Sequence, residues 1–405
     1  MMVLGLPGVA LSRVPKAANG CLAAHASVTA TMRGEENPYL LLTPGPLSTT
    51  RTVRSATLRE LSTWDPDYHA ICQSIRSRLV DIAVSDDRCR PDYTSVLMQG
   101  SGTFAIESTL GSVIPSDGRI LIAANGAYGV RMAAIAERLG ISCAVLSHPE
   151  TERIDLDRID AALTVDPSIS HVGYVHCETT TGIVNDAASI GELVAAHGKC
   201  LIVDAMSSFG GIPFDMVEFG AQYAVSSANK CLQGVPGFAV VIAHRATLEQ
   251  TEGSARSFSL DLRDQWRGFE EGHGKWRFTS PTHAILGFDQ ALDELAVETL
   301  AGRHQRYCEN QQAVVRGMER LGFRTLLPAE LQSPIITSFH CPCDEIFSFQ
   351  TFFHLLKDRG FMIYPGKVSE LSTFRIGSIG NIFPSDIDRL MTAIAAVREE
   401  MGFRT

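Results

Sequence analysis

The hydrophobic positions of the chain form short apolar runs that alternate with stretches of helical periodicity. In the latter, apolar residues recur every three or four positions, as in residues 71–82. Strands are predicted at residues 93–98, 119–124, 142–146, 171–176, 201–203, 223–225 and 238–243. Helices are predicted at residues 49–61, 68–83, 104–113, 130–139, 156–163 and 187–197. This alternation predicts an α/β fold with a mostly parallel sheet flanked by helices.

The pattern changes in the C-terminal quarter of the chain. A long helix predicted from residue 282 to about 320 leads into short strands and helices typical of a smaller α+β domain. We therefore expect a large domain over residues 38–300, with its segment 38–60 near the active site, and a small domain over residues 301–405. Residues 1–37 are predicted to be an N-terminal arm, either disordered or preceding the true start of the protein.

Composition narrows the function classes. The 405 residues carry a net charge of -10, which argues against nucleic acid or an anionic membrane as the main partner. No apolar run is long enough for a membrane span. The ten cysteines are scattered, without zinc-site spacing, so we expect reduced cysteines, no metal site and a cytoplasmic location.

Two residues at predicted strand ends carry the most specific chemistry. Asp204 follows the apolar run 201–203, and Lys230 follows the run 223–225 after four small or polar residues. A carboxylate that keeps a pyridine nitrogen protonated and an amine that forms a Schiff base are what pyridoxal 5′-phosphate chemistry requires. Taken alone, however, an Asp after a strand is often just a helix N-cap, and a Lys in a polar loop is usually solvated.

Other strand ends carry groups suited to the same site. Ser101, Gly102 and Thr103 stand between a strand and a helix, the layout of an anion-binding turn or of a simple helix cap. Tyr128 lies at the next strand end, either to stack on a ring or as a core tyrosine. Arg375 lies in an apolar strand and needs an anionic partner from the protein or from a substrate.

Together these motifs resemble the fold-type I, pyridoxal-phosphate-dependent aminotransferases of class V. The resemblance rests on LLTPGPL (41–47), QGSGT (99–103), NGAYG (125–129), HCETTTG (176–182), IVDAMSSFGG (202–211), SSANKC (226–231), FTSPTH (278–283) and FRIG (374–377). It spans residue 39 to about residue 402. Within the class the chain is most similar to the 2-aminoethylphosphonate:pyruvate aminotransferases.

The resemblance implies a role for each matching residue. Lys230 would bind the cofactor covalently and move the proton, and Asp204 would pair with the pyridine nitrogen. Ser101, Gly102 and Thr103 would hold the cofactor phosphate, and Tyr128 would stack on the ring. Thr179 would bond to the ring 3-hydroxyl. Thr279 would reach the cofactor phosphate of the neighbouring subunit in a homodimer, and Arg375 would bind the substrate carboxylate or phosphonate.

The implied activity is transamination between 2-aminoethylphosphonate and pyruvate, giving phosphonoacetaldehyde and L-alanine in phosphonate degradation. An alanine– or serine–glyoxylate aminotransferase has the same plan, although Asn229 stands where the alanine–glyoxylate enzymes carry Gln. A class V lyase such as a cysteine desulfurase needs a mobile Cys, whereas Cys231 directly follows Lys230. A cofactor-binding regulator lacks an accompanying DNA-binding motif or basic stripe.

Overall fold

A computed structural model describes residues 37–368 and 371–405, and Leu40–Thr405 form one compact unit. The predicted N-terminal arm lies, except for Asn37, outside the described residues. The α-helices are α1 Arg51–Ala56, α2 Pro66–Ala83, α3 Gly102–Val113, α4 Ala127–Arg138, α5 Leu156–Val165, α6 Ala187–Ala196, α7 Arg245–Glu249, α8 Leu262–Glu271, α9 Thr282–Glu298, α10 Leu300–Arg320, α11 Phe349–Asp358 and α12 Pro384–Met401. No helix among these described residues is both long enough and apolar enough to span a bilayer.

The described strands form one large sheet, a smaller antiparallel sheet and two two-stranded pairs. They are β1 Leu40–Leu41, β2 Tyr93–Gln99, β3 Arg119–Ala124, β4 Ser142–Ser147, β5 Ile169–Val175, β6 Cys177–Glu178, β7 Ile183–Val184, β8 Cys200–Asp204, β9 Tyr223–Ser227, β10 Phe238–His244, β11 Ile336–His340, β12 Phe361–Met362, β13 Tyr364–Pro365 and β14 Thr373–Gly377. The large sheet has the order β2-β10-β9-β8-β5-β3-β4, the small one has the order β11-β14-β13, and the two pairs are β1 with β12 and β6 with β7.

The large sheet is parallel except at β10, which pairs antiparallel with both β2 and β9. Its inner strands are almost entirely buried, as continuous apolar runs without alternation predict. The prediction of a mostly parallel sheet is therefore confirmed. Because β8 and β9 are neighbours, with Asp204 opposite Val225, their carboxyl ends open on the same edge of the sheet.

The described residues form two large hydrophobic cores. One surrounds the large sheet, and the other joins α10, α11 and α12 to the small sheet. Leu42 belongs to the second core, since β1 pairs with β12. The segment at residues 38–60 thus starts against the C-terminal part of the chain before it reaches the large sheet. The exact domain boundary near residue 300 stays a prediction.

The prediction of one long helix from residue 282 to about 320 was wrong, because the helix is interrupted at Thr299 and the segment forms α9 and α10. Thr299 has a φ of 69°, and its hydroxyl accepts a hydrogen bond from the N–H of Gly302 at 3.1 Å. The last residue of α9, Glu298, accepts from Arg303 at 2.8 Å and from Arg306 at 2.6 Å. These bonds cap the new helix and fix the bend.

Candidate active site

A cavity of about 230 Å³ opens where the central parallel strands end. Six of the nine predicted site residues line it: Ser101, Gly102, Thr103, Tyr128, Asp204 and Lys230. Thr179 and Arg375 do not line the cavity, but hydrogen bonds connect them to Tyr128, which does. Thr279 is exposed and does not line it. The fold therefore brings most of the residues predicted from strand ends together around one cavity.

Lys230 reaches the cavity from the turn after β9. Its Nζ donates a hydrogen bond to the carbonyl of Pro44 at 2.7 Å, and a Cβ on Gly45 would lie 2.5 Å from its Cδ. Gly45 has a φ of 120°, which favours glycine and lets the loop pack on the lysine. Burial lowers the pKa of Lys230. The unprotonated form of an amine is the nucleophile, so burial favours the form of Lys230 that covalent chemistry requires.

Asp204 ends β8 and is 7% exposed. Its Oδ1 accepts a hydrogen bond from the N–H of Met206 at 2.9 Å. Burial raises the pKa of Asp204 to about 6, while the Met206 bond and the Lys230 charge oppose that rise. A carboxylate held in the apolar floor of a cavity needs a cationic group beside it, and a protonated ring nitrogen would meet that need.

The turn before α3 forms an open anion cradle. Ser101 is the N-cap residue of the helix, yet its hydroxyl makes no capping hydrogen bond. A Cβ on Gly102 would lie 2.1 Å from Sδ of Met206, so any larger residue here would have to displace the Met206 side chain. Thr103 Oγ1 accepts from Arg131 at 3.4 Å. Free N–H groups, hydroxyls and a guanidinium together suit a phosphate.

Tyr128, Thr179 and Arg375 form a connected chain along one wall. The hydroxyl of Thr179 donates to the hydroxyl of Tyr128 at 3.3 Å, and Nη1 of Arg375 donates to the Thr179 carbonyl at 2.7 Å. Arg375 is 2% exposed, and its Nε donates to the Pro365 carbonyl at 2.9 Å. Burial lowers its pKa. No described carboxylate forms an ion pair with Arg375, so its charge is left for an anionic ligand.

Glu178 is a site residue that the sequence reasoning missed. Its side chain is fully buried, and Oε1 accepts from the backbone N–H groups of Tyr128 at 3.1 Å and Gly129 at 2.9 Å. Burial raises its pKa to about 7, against the effect of those bonds. A Cβ on Gly126 would meet this carboxyl at 2.5 Å. Glu178 therefore fixes the start of α4 and the position of Tyr128.

Ser227 and Arg131 were also missed, although both line the cavity. The Ser227 hydroxyl is buried and has no hydrogen-bond partner among the described residues. The signal available in the sequence was position: Ser227 ends a strand, and Arg131 lies one helical turn after Tyr128. Neither residue type is distinctive enough at such a place to be selected without the structure.

Cys231 does not have the properties of a mobile nucleophile. It is fully buried, its Sγ donates to the Ser207 carbonyl at 3.1 Å, and burial raises its pKa to about 12. A thiol in this state is inert. The surroundings of Cys231 thus argue against the lyase alternative.

Fold and site together define a class, and comparison with known families identifies it. Residues 89–378 match the family described as Aminotransferase class-V, and the chain belongs to that family. Among solved structures, a pyridoxamine-pyruvate aminotransferase from Mesorhizobium loti has a TM-score of 0.81 at 24% identity, covering 91% of this chain and 94% of that one. An alanine–glyoxylate aminotransferase from Nostoc sp. also gives 0.81, at 25% identity and with 90% and 96% coverage.

Curated relatives are more similar still, and they share one name. A 2-aminoethylphosphonate–pyruvate transaminase from Syntrophobacter fumaroxidans is 55% identical over 368 residues, which cover 91% of this chain and 98% of the relative. The protein of the same name from Vibrio vulnificus is 54% identical over 361 residues, covering 89% and 97%. The predicted membership of the class V aminotransferases and the predicted fold are confirmed.

Proposed function

We propose that this enzyme transfers the amino group of 2-aminoethylphosphonate to pyruvate, forming phosphonoacetaldehyde and L-alanine. The observation that carries the proposal is identity above 50% to transaminases of that name over about nine-tenths of the chain. The site supports it, because an amine, a buried carboxylate, an anion cradle and an arginine that pairs with no carboxylate of the described residues line or adjoin one cavity. We further propose that its cofactor is pyridoxal 5′-phosphate. The reaction would serve the degradation of phosphonates.

The residues present fit that cofactor. The Ser101 hydroxyl makes no capping bond to its helix, and the buried Ser227 hydroxyl has no hydrogen-bond partner among the described residues, so both could bond to a ligand in the cavity. Ser101, Gly102 and Thr103 would hold the phosphate, Asp204 the ring nitrogen, and Tyr128 would stack on the ring. Thr179 would release its bond to Tyr128 for the ring hydroxyl. Bound pyridoxal phosphate supplies a carbonyl that accepts the amino group and a ring that accepts an electron pair.

Lys230 and Asp204 divide the catalytic work. With its pKa lowered, Lys230 can hold the cofactor covalently and, once displaced by the substrate amine, take a proton from the substrate carbon. The Pro44 carbonyl, 2.7 Å from Nζ, orients that amine. Asp204 stays anionic when a cationic ring nitrogen lies beside it, since an opposite charge lowers a carboxyl pKa. Its burial excludes the water that would weaken this pairing.

Arg375 would bind the anionic end of both substrates. Two of its nitrogens are already committed to the Thr179 and Pro365 carbonyls, which fix the plane of the guanidinium. The remaining N–H groups can pair with a carboxylate or with a phosphonate, because a guanidinium donates to either in parallel pairs. A fixed arginine thus lets one site accept pyruvate in one half of the reaction and the aminophosphonate in the other.

A homodimer with shared active sites would explain an exposed aromatic surface next to Thr279. The rings of Phe258 and Phe278 are 78% and 47% exposed and lie 6.0 Å apart, with the Arg277 guanidinium within 5.3 Å of both. Surfaces that expose aromatic residues and arginine are typical of interfaces. In the proposed dimer this surface meets a second copy, and Thr279 reaches the partner's cofactor phosphate.

Comparison of amino donors tests the proposed function. Purified enzyme with pyridoxal phosphate, pyruvate and 2-aminoethylphosphonate should form alanine, measured by chromatography. Serine and alanine, each supplied with glyoxylate, serve as the competing donor–acceptor pairs. A clear preference for either amino acid would overturn the proposed substrate in favour of a glyoxylate aminotransferase, while leaving the cofactor chemistry intact.

A further inference from the structure

Three cations lie around Tyr128, and the proposed reaction uses only one of them at the substrate. Lys367 Nζ lies 5.4 Å from the centre of the Tyr128 ring, and the Arg131 guanidinium lies 5.1 Å from it. Arg375 is tied to the same tyrosine through Thr179. We call Arg131, Lys367 and Arg375 the cation cluster. Arg131 also donates to Thr103, on the side of the proposed cofactor phosphate.

The described acidic side chains act on the cation cluster without direct contact, Asp204 on Arg131 and Glu178 on Lys367. None of them forms an ion pair with Arg131, Lys367 or Arg375, and Glu178, which acts on Lys367 from nearby, is bonded to backbone N–H groups. The pKa of Lys367 is lowered by burial, and repulsion from Arg131 and Arg375 adds to that effect. A bound anion with more than one negative charge would reduce the repulsion among these three cations. An anion with a single charge could be neutralised by Arg375 alone.

The backbone holds Lys367 in a position to act. The N–H of Gly366 donates to the Thr373 carbonyl at 2.9 Å, and a Cβ on Gly366 would lie 2.2 Å from that oxygen. Residue 366 is thereby tied to β14, the strand that carries Arg375. The side chain of Lys367 then lies over the ring of Tyr128, and this tyrosine lines the cavity.

The two proposed substrates differ in charge at the end that faces Arg375. A carboxylate carries one negative charge, whereas a phosphonate, like a phosphate ester, carries between one and two near neutral pH and has a third oxygen. Building on the proposed function, we infer that Lys367 binds the phosphonate oxygen that Arg375 leaves unpaired and thereby determines specificity for the aminophosphonate over an α-amino acid. Lysine suits this role as a point charge, since it requires no fixed plane.

The test compares two half-reactions in the Lys367→Met variant of the holoenzyme. Each is followed as the conversion of the cofactor absorbance on mixing with 2-aminoethylphosphonate or with L-alanine. We expect the apparent second-order rate constant for the aminophosphonate to fall about tenfold or more, the loss typical of one hydrogen bond to a charged group. The constant for alanine should change less than about twofold, and Lys367→Arg should retain most of the aminophosphonate rate.

Lys199→Met is the matched control. Lys199 lies just before β8, at the opposite end of that strand from Asp204, and its Nζ donates to the Pro167 carbonyl. This variant should behave as the wild type with both amines. Equal losses for the two amines in Lys367→Met would show that Lys367 only positions Tyr128 or the cofactor, and no loss for either would also overturn the inference. Wild-type enzyme that ignores the aminophosphonate but reacts with alanine would instead refute the proposed function.

Discussion

Replacing Glu178 by Gln should make the protein more stable at alkaline pH, because a neutral amide does not suffer the cost of burying a charge. Gln keeps an oxygen that accepts from the N–H groups of Tyr128 and Gly129, so the start of α4 is preserved. Burial raises the pKa of Glu178 from 4.5 to about 7 in the folded protein. The folded state therefore holds its proton to a higher pH than the unfolded state does.

The sign and size of the effect follow from this difference. A raised folded-state pKa gives stability that is fully present below the unfolded pKa and is lost as pH rises through the folded one. At 1.36 kcal/mol per pKa unit, wild type should lose about 2.5 kcal/mol relative to Glu178→Gln between about pH 5 and about pH 8. Other titrating groups are shared by the two proteins and cancel in the difference.

Urea unfolding of both proteins without cofactor, followed by tryptophan fluorescence at several pH values, measures the difference. Glu399→Gln is the control, since Glu399 is exposed on α12 and its surroundings change little on unfolding. It should give no pH-dependent difference from wild type. A constant difference between wild type and Glu178→Gln across this pH range would refute the reasoning, because it would mean that burial does not hold the proton on Glu178.

Three further substitutions test the site. Gly102→Ala should weaken cofactor binding about tenfold through its clash with Met206, and adding Met206→Ala should restore much of it, as equilibrium dialysis would show. Arg375→Ala should raise the Michaelis constants for 2-aminoethylphosphonate and pyruvate by about tenfold or more with cofactor retained; unchanged constants would exclude Arg375 from the substrate site. Thr279→Ala should weaken cofactor binding about tenfold without changing the mass by light scattering, and unaltered affinity would argue against its reach into a partner site.

The site residues that could be predicted from the sequence are those that follow the ends of predicted strands. Asp204 and Lys230 come together because β8 and β9 are adjacent and parallel, and apolar runs reveal both strands. The anion cradle was readable for a similar reason, since glycine and hydroxyl residues stand between a strand and a helix. Such features depend on a few consecutive residues, which a linear pattern records well.

What the sequence did not show depends on contacts between distant segments. Glu178 bonds to N–H groups about fifty residues earlier, and its raised pKa arises only in the folded protein. In the sequence Lys367 is an ordinary charged residue of a loop, and only the fold shows that it lies over the ring of Tyr128. The break at Thr299 escaped because threonine seldom adopts a positive φ, and the bonds from Arg303 and Arg306 that hold the bend come from the following helix.

The central claim concerns the amino donor, and one spectrum tests it most directly. The yellow holoenzyme is mixed with 2-aminoethylphosphonate alone, and its absorbance is recorded before and after pyruvate is added. The account predicts conversion of the pyridoxal form to the pyridoxamine form, followed by reversal with pyruvate. A spectrum that 2-aminoethylphosphonate leaves unchanged, but that alanine or serine shifts, would contradict the proposed substrate.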